Sequence, residues 1–426
     1  MHREGRVAAV LAVMIAACAV PTAAQAGPRW GIPEAVSKPG ILVGSAYPTL
    51  GTDGCALVTW AQGKRDWTRT LRPWVAVRRP GAASFARPRR VGPRGSFAAA
   101  EIAEDENVAI VVRGSRGKPV RARLHSPLTR FGPWVTVARR APGFSLDVAR
   151  DGTAAIAWRT SRGLRASVRE PGGEFGPAIA PVRSIAWRVD VAAGGGVVVA
   201  SQRSGGRARD RRVFVSTRPP GAPFFGPPEP VPPTRWSELA AATITDDGRA
   251  VVLAEEEKRD DGTAIRASTA AAGGGFSVPR RISRGWSSVW PSLGADLSGR
   301  VVAVWDRIRG GGRFAGPEWA AYAPGAGWST PERIPRAREM SIASFDISGS
   351  GAWALGIHDV RRRRQVLRAA IAPAGGSIGR PERITVARNA RALVSPIVAI
   401  NDAGEAIAAW APRFLERGRI FISNRA

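Results

Sequence analysis

Cysteine, histidine, tyrosine, methionine and lysine are all scarce in this 426-residue sequence. It holds two Cys, three His, two Tyr and three Met, and its lysines are confined to Lys38, Lys64, Lys118 and Lys258. Two cysteines cannot build a disulfide framework, so stability has to come from buried apolar surface. Histidine is too sparse for a His-rich metal centre: beyond the N-terminal segment only His125 and His358 occur, and neither has a metal-ligand spacing or a nucleophile beside it. Long uninterrupted helices are excluded as well. Forty-nine Gly and 34 Pro break any sustained helical pattern. After the N-terminus no stretch is apolar enough to span a bilayer.

Arginine, tryptophan and a large apolar fraction are present in their place. Lys and Arg total 63 against 34 Asp and Glu, a formal net charge of +29, while 44% of residues are apolar and 15 are Trp. That apolar share builds a large core, and the charge draws the protein to polyanions whatever its fold. Residues 1–26 read as a signal peptide: Arg3 and Arg6, then an apolar run from Val7 to Val20, then Ala24-Gln25-Ala26 before Gly27. A rival reading takes Ile15-Ala16-Ala17-Cys18 as similar to a bacterial lipobox, with Cys18 lipidated and the protein anchored to the envelope. Either way the mature chain keeps one free thiol, Cys55. Its place at the start of a repeat strand, where Thr153, Arg249, Arg300 and Glu405 stand elsewhere, predicts partial exposure.

A repeat organises the rest of the chain. An aromatic or apolar residue followed within three positions by Pro occurs at Trp30–Pro33, Phe85–Pro88, Phe131–Pro133, Phe175–Pro177, Phe225–Pro227, Phe276–Pro279, Trp328–Pro331 and Ile378–Pro381. Between these copies lies a second element, a Gly turn followed by a strand ending in Trp. Its clear forms are Gly54 to Trp60, Gly152 to Trp158, Gly299 to Trp305 and Gly404 to Trp410, with degenerate forms near Asn107, Gly195, Gly248 and Gly351. Each marks a β-hairpin. A third strand follows, as in Leu164–Val168 and Arg212–Ser216, often closed by Pro-Gly. The aromatic-Pro motif then supplies an outer fourth strand, where Pro costs no buried ladder bond.

Four strands at this period are the composition of a propeller blade. The predicted fold is all-β, a single β-propeller over residues 27–426 with eight four-stranded blades. Seven blades result if the weak repeat around residues 92–138 is absorbed. The last unit lacks a fourth strand and the N-terminal motif lacks a hairpin. The N-terminal strand is therefore expected to close the ring, with Trp30 to Ser37 beside residues 418–426. In these features the chain resembles secreted bacterial β-propeller repeat proteins, broadly sialidase-like. The sialidase Asp-box, Ser-x-Asp-x-Gly-x-x-Trp, places Trp nearer its Gly than the six residues found here, so the resemblance implies a scaffold without its catalysis.

Candidate binding residues follow from the blade scheme. The second-to-third strand loops are basic at 113–123, 203–212, 307–313 and Arg361, Arg362, Arg363 and Arg364. The connections between blades reach the same face and bring Trp187 with Arg188, Arg235 with Trp236, Arg284 with Trp286, and Trp290. Guanidinium forks pair with carboxylate, sulfate or phosphate, and indole faces stack on sugars. The expectation is a monomeric, secreted binding protein that recognises an anionic polysaccharide, a teichoic-type polymer or a protein partner. No specific nucleic-acid target, cofactor, metal or catalytic residue is assigned. Alternatives are a glycan-acting hydrolase or lyase using Tyr47, and an envelope lipoprotein acting as an interaction scaffold. Trp60, Trp158, Trp305 and Trp410 are locked to the repeat and predicted to be core. The acidic run Glu255-Glu256-Glu257 is expected to pair with neighbouring arginines, and Gly375 to Gly379 matches the pattern around a nucleophilic serine only by coincidence.

Overall fold

The second strand of each repeat is apolar at nearly every position, which only a strand covered on both faces tolerates. Ala154-Ala155-Ile156-Ala157-Trp158 is buried throughout, and so is Val301 to Asp306. Neighbouring sheets must therefore stack face to face around each repeat. The computed structural model describes residues 29–425 except 39–40, 64–70, 94–96, 104–107, 115–117, 126–131, 142, 162, 180–185, 193, 204–211, 233–236, 259–261, 285–286, 310–311, 362–363, 388–395 and 412–416. Its strands form eight antiparallel sheets, and apolar clusters pack between consecutive ones.

Blade 1 contains Ile41–Leu50, Ala56–Gly63, Arg72–Arg78 and Arg89–Arg90. Blade 2, Phe97–Ala103, Val108–Gly114, Lys118–His125 and Val135–Ala141, is a full four-stranded sheet built from the weakest repeat. Blade 3 starts with Phe144–Val148, Ala154–Thr160 and Gly163–Arg169. Among the described residues its outer segment is bridged from Phe175 to Arg169 and from Ile179 to Ala166. Blades 4 and 5 run from Ala186–Val191 to Glu229–Pro230 and from Ser237–Ile244 to Arg280–Arg281. Blade 6 begins at Ser288–Ala295, and its outer strand is split into Gly327–Trp328 and Glu332–Arg333. Blade 7 spans Met340–Ile347 to Glu382–Ala387.

Blade 8 carries the closure. Its own strands Ile397–Ile400, Ala406–Trp410 and Phe421–Arg425 are completed by Glu34–Ala35 from the other end of the chain. Glu34 pairs with Ile422, Ala35 with Phe421, and Trp30 bridges to Arg425. The Ile420 N–H donates to Ser37 Oγ at 2.7 Å and the Ser423 hydroxyl to the Gly31 carbonyl at 2.8 Å. The expected closure is therefore observed. In the outer strands the motif proline stands just before the paired residues, as Pro88, Pro279 and Pro381 do. Its missing N–H thus falls outside the ladder altogether.

Blades pack through separate apolar clusters between neighbours, such as Val302, Val304, Trp353, Leu355 and Ile357 between blades 6 and 7. Trp60, Trp158, Trp305 and Trp410 are all buried, Trp305 completely. The hairpin glycines Gly54, Gly152, Gly195, Gly248, Gly299, Gly351 and Gly404 have φ between 77° and 96°, a left-handed conformation that L side chains rarely adopt. Cys55 departs from expectation: it is 1% exposed. Its N–H donates to Asp53 Oδ1 and its carbonyl accepts from Gly51, so the backbone is tied down and the short thiol stays underneath. Arg249, Arg300 and Glu405, longer at the same place, reach partly out. Among the described residues no helix is long and apolar enough to cross a membrane.

Candidate functional site: the loop face and the central channel

Strand direction gives the ring two faces. Hairpins between first and second strands mark a turn face. Entry into each first strand and the second-to-third loops mark the opposite loop face. In blade 4 the register pairs Ala186 with Gln202 and Arg203 with Arg212, which puts the entry and the basic loop at one end. Blade 6 repeats this, with Ser288 opposite Arg307 and Arg309 opposite Arg313. Arg188, Arg203, Arg212, Arg284, Arg309 and Arg313 are all exposed there. Arg188 donates to the Ala240 and Trp187 carbonyls at 2.9 and 3.0 Å, and none of the six forms a salt bridge among the described residues.

Among the described residues of this face Trp290 is an exposed aromatic, at 62%. The first strand of blade 6 carries a bulge between Val289 and Ser292, and within it Trp290 has φ 54°. A non-glycine residue in that region costs on the order of 1–3 kcal/mol and persists only when its surroundings hold it. Here Glu255 of blade 5 accepts the Trp290 N–H at 2.7 Å, and the indole lies 5.9 Å from the Phe314 ring. The acidic run is thus used internally: Glu255 fixes the bulge, and Glu256 pairs with Arg266. Burial raises the Glu255 pKa above the ordinary range.

The remaining sequence candidates divide. Trp187 is half-buried and packs against Ala157, Leu164, Ala166 and Val199 between blades 3 and 4. Arg361 and Arg364 face each other in the ladder at the tip of blade 7. Arg235, Trp236, Trp286, Arg362, Arg363 and Cys18 lie outside the described residues. Tyr47 is 52% exposed on the first strand of blade 1 and makes no side-chain hydrogen bond among the described residues. Gly375 to Gly379 occupies the turn before the outer strand of blade 7, not a strand-to-helix elbow.

The channel along the ring axis is acidic, which the overall charge conceals. The first strand of each blade stands at the inner side of its sheet, in blade 1 next to the short strand Arg417–Gly418, and its free N–H groups need partners. Carboxylates from the preceding blade provide them. Glu101 accepts from Val148 N–H at 3.1 Å, Asp147 from Val191 at 2.5 Å, Asp190 from Ile244 at 3.0 Å, and Asp346 from Ile400 at 2.8 Å. Asp190 also takes the Thr243 hydroxyl, at 2.7 Å. Asp306 does the same service from a second strand, to Ile342 N–H and Ser341 Oγ. Around Glu101, Asp147, Asp190 and Asp346 is a cavity of about 280 Å³. Its turn-face end is spanned by Arg150 Nη1 and Asp402 Oδ2, 2.8 Å apart, joining blades 3 and 8.

Burial is the main cause of raised pKa values here. It pushes Asp147 to about 8, with the Asp190 charge adding to it, and Asp190 and Asp346 to about 6. Glu101 is raised well above its ordinary value by burial and then by Asp147, with which it shares a side-chain hydrogen bond. Each of these carboxyls is committed to backbone, so their arrangement joins blades. Among the described residues no group of three or more His, Cys, Asp or Glu could hold a metal ion. The sequence signal for the staples was available: Asp147, Asp190 and Asp346 each stand five residues before a hairpin glycine.

No protein-family model matches the chain, and no curated protein matches it. Solved structures do. The β-propeller domain of the Trilobed protease from Pyrococcus furiosus, described as an open velcro topology, aligns with TM-score 0.50 at 12% identity, covering 81% of this chain and 98% of that one. The Dos1 propeller gives 0.51 at 7% identity over 93% and 95% of the two chains. The BP39L lectin from Burkholderia pseudomallei gives 0.51 at 13% identity over 80% and 100%. The chain is a β-propeller. At these identities the likeness carries the fold alone, so the function of this propeller has to be argued from its own residues.

Proposed function

We propose that this propeller is a secreted, non-enzymatic binding protein that recognises an anionic polymer of the cell surroundings through its loop face. One observation carries the reading: on blades 4 to 6 the arginines of that face, Arg203, Arg212, Arg284, Arg309 and Arg313, are exposed without salt bridges among the described residues, around a Trp290 held outward by a strained bulge. Oxoanions suit the guanidinium forks, and a sugar ring suits the indole. Residues 1–26 act as the exported leader in this reading, and the mass of the mature N-terminus distinguishes cleavage at Gly27 from lipidation at Cys18.

The test is binding of the mature protein to immobilised anionic polysaccharide and teichoic-type polymer across a salt series. Retention should be strong at low salt and fall steeply as salt rises. Replacing Arg203, Arg212 and Arg313 by Ser, with Trp290→Ala, should weaken it. Binding that ignores salt, or no binding to any polyanion, removes the proposal.

A further inference from the structure

A second basic surface lies away from the loop face, on the rim where the ring closes. A groove of about 970 Å³ runs over the outer edge of blade 7. At one end stands Arg336, in the connection from blade 6, and at the other Arg29 and Trp30 of the closing strand. Arg380 and Arg383 flank the start of the outer strand of blade 7 between them. Among the described residues Glu382 is the one acidic residue lining it, and Arg425 already binds that carboxylate at 3.3 Å. Arg368, also in the wall, is held by Asp359 at 3.2 Å. Arg29, Arg336, Arg380 and Arg383 are exposed and form no salt bridge among the described residues.

Two details make this more than scattered charge. Trp30 gives the groove an aromatic wall at its closing-strand end, held in place by packing on the cluster of Val398, Ile400 and Trp410. Arg336 is also shared with a neighbouring cavity of about 360 Å³, which contains Arg333, Arg338 and, from the loop face, Arg309. Arg336 itself has φ 56°, so its place at the junction is set by a backbone conformation that few residues adopt. The two cavities thus form one track, from the loop face at Arg309, past Arg336, down the edge of blade 7 to the closing strand.

We infer that the rim of blades 6 to 8 is a second oxoanion site, which takes the continuation of a linear polyanion. The inference builds on the loop-face reading in one respect: the ligand is the same kind of polymer. It assigns different residues. A chain with repeated phosphate, sulfate or carboxylate groups fits an arginine track that turns from one face to the edge, whereas a small anion gains nothing from its length.

The experiment compares a long-chain inorganic polyphosphate with tripolyphosphate, by calorimetry or fluorescence, on four folded proteins. These are the wild type, a rim variant (Arg336→Asn, Arg380→Ser, Arg383→Ser), a loop-face variant (Arg203→Ser, Arg212→Ser, Arg313→Ser), and a charge-matched control (Arg139→Ser, Arg140→Ser, Arg280→Ser). Asn is chosen at 336 because it tolerates positive φ. The rim variant should bind the long chain about tenfold more weakly than the control, with little change for tripolyphosphate. Its salt slope should fall by about 2, from three lost contacts at about 0.7 each. If the rim variant matches the control while the loop-face variant is impaired, the rim inference falls and the loop-face reading stands. The reverse pattern removes the loop-face reading and keeps the rim site. Equal losses for both ligand lengths, or no wild-type binding to the long chain, overturn the inference. Buffered sulfate and a sulfated polysaccharide in parallel separate a general oxoanion site from a phosphate-specific one.

Discussion

Replacing Asp147 by Asn probes the channel staples directly. Its carboxyl is buried, accepts the Val191 N–H at 2.5 Å and shares a hydrogen bond with Glu101. Burial first, and the Asp190 charge second, raise its pKa from 3.8 to about 8. A carboxyl whose folded pKa lies above its unfolded value binds its proton more tightly when folded. The stabilisation is therefore complete below about pH 4 and is lost as pH rises towards 8. At about 1.4 kcal/mol per unit, the cost of ionising this group in the folded ring has a ceiling of roughly 6 kcal/mol. Asn keeps an acceptor for Val191, can donate to Glu101 and never ionises. The variant should match the wild type within about 1 kcal/mol at pH 4.5 and exceed it by about 2–4 kcal/mol at pH 8.5. Urea titrations at both pH values measure this, and subtracting the two proteins cancels the pH response of the overall positive charge. A difference that stays constant with pH, or a variant that loses ground as pH rises, would refute the reasoning.

Other outcomes follow from the same structure. With Arg203, Arg212, Arg309, Arg313, Arg336, Arg380 and Arg383 exposed and without salt bridges among the described residues in a chain of charge +29, moderate salt should raise the melting temperature, and an unchanged or lowered midpoint contradicts that self-repulsion. Ser37→Ala leaves the buried Ile420 N–H without its acceptor, which should cost about 1–3 kcal/mol and appear as a lower urea midpoint. The Cys55 thiol, buried and pushed up to about 11 by burial and then by Asp53, should stay silent towards a disulfide reagent at pH 8 until urea unfolds the ring.

What the sequence revealed depended on whether a residue type was forced by local geometry. Gly152 and Trp158 recur because a hairpin requires the first and a two-sided interior favours the second, so the blades could be read off directly. The role of Trp187 could not, because packing against Leu164 and Val199 depends on how two blades meet. The channel carboxylates show the sharpest limit. Asp147 and Asp190 show a common spacing before a hairpin glycine, but only ring geometry puts each beside the free N–H of the next blade.

Those bonds have a common sense of rotation, each reaching from one blade to its successor, so they grade the seams of the ring. Glu101, Asp147 and Asp190 secure the seams from blade 2 to blade 5, Glu255 and Asp306 the next two, and Asp346 the seam to blade 8. Between blades 8 and 1, Asn401 Nδ2 reaches the Gly51 carbonyl. Blade 1 has Thr49 at the corresponding place, as blade 5 has Thr243 and blade 6 Gly294, but unlike those two it has no second-strand substitute: among the described residues no carboxylate crosses from it to blade 2. The seam that breathes first is then this interior one, held by Leu57, Val75, Val91 and Ala100, and not the junction of the two chain ends. Hydrogen exchange should begin on the strand Phe97–Ala103 while the strand Phe421–Arg425 remains protected.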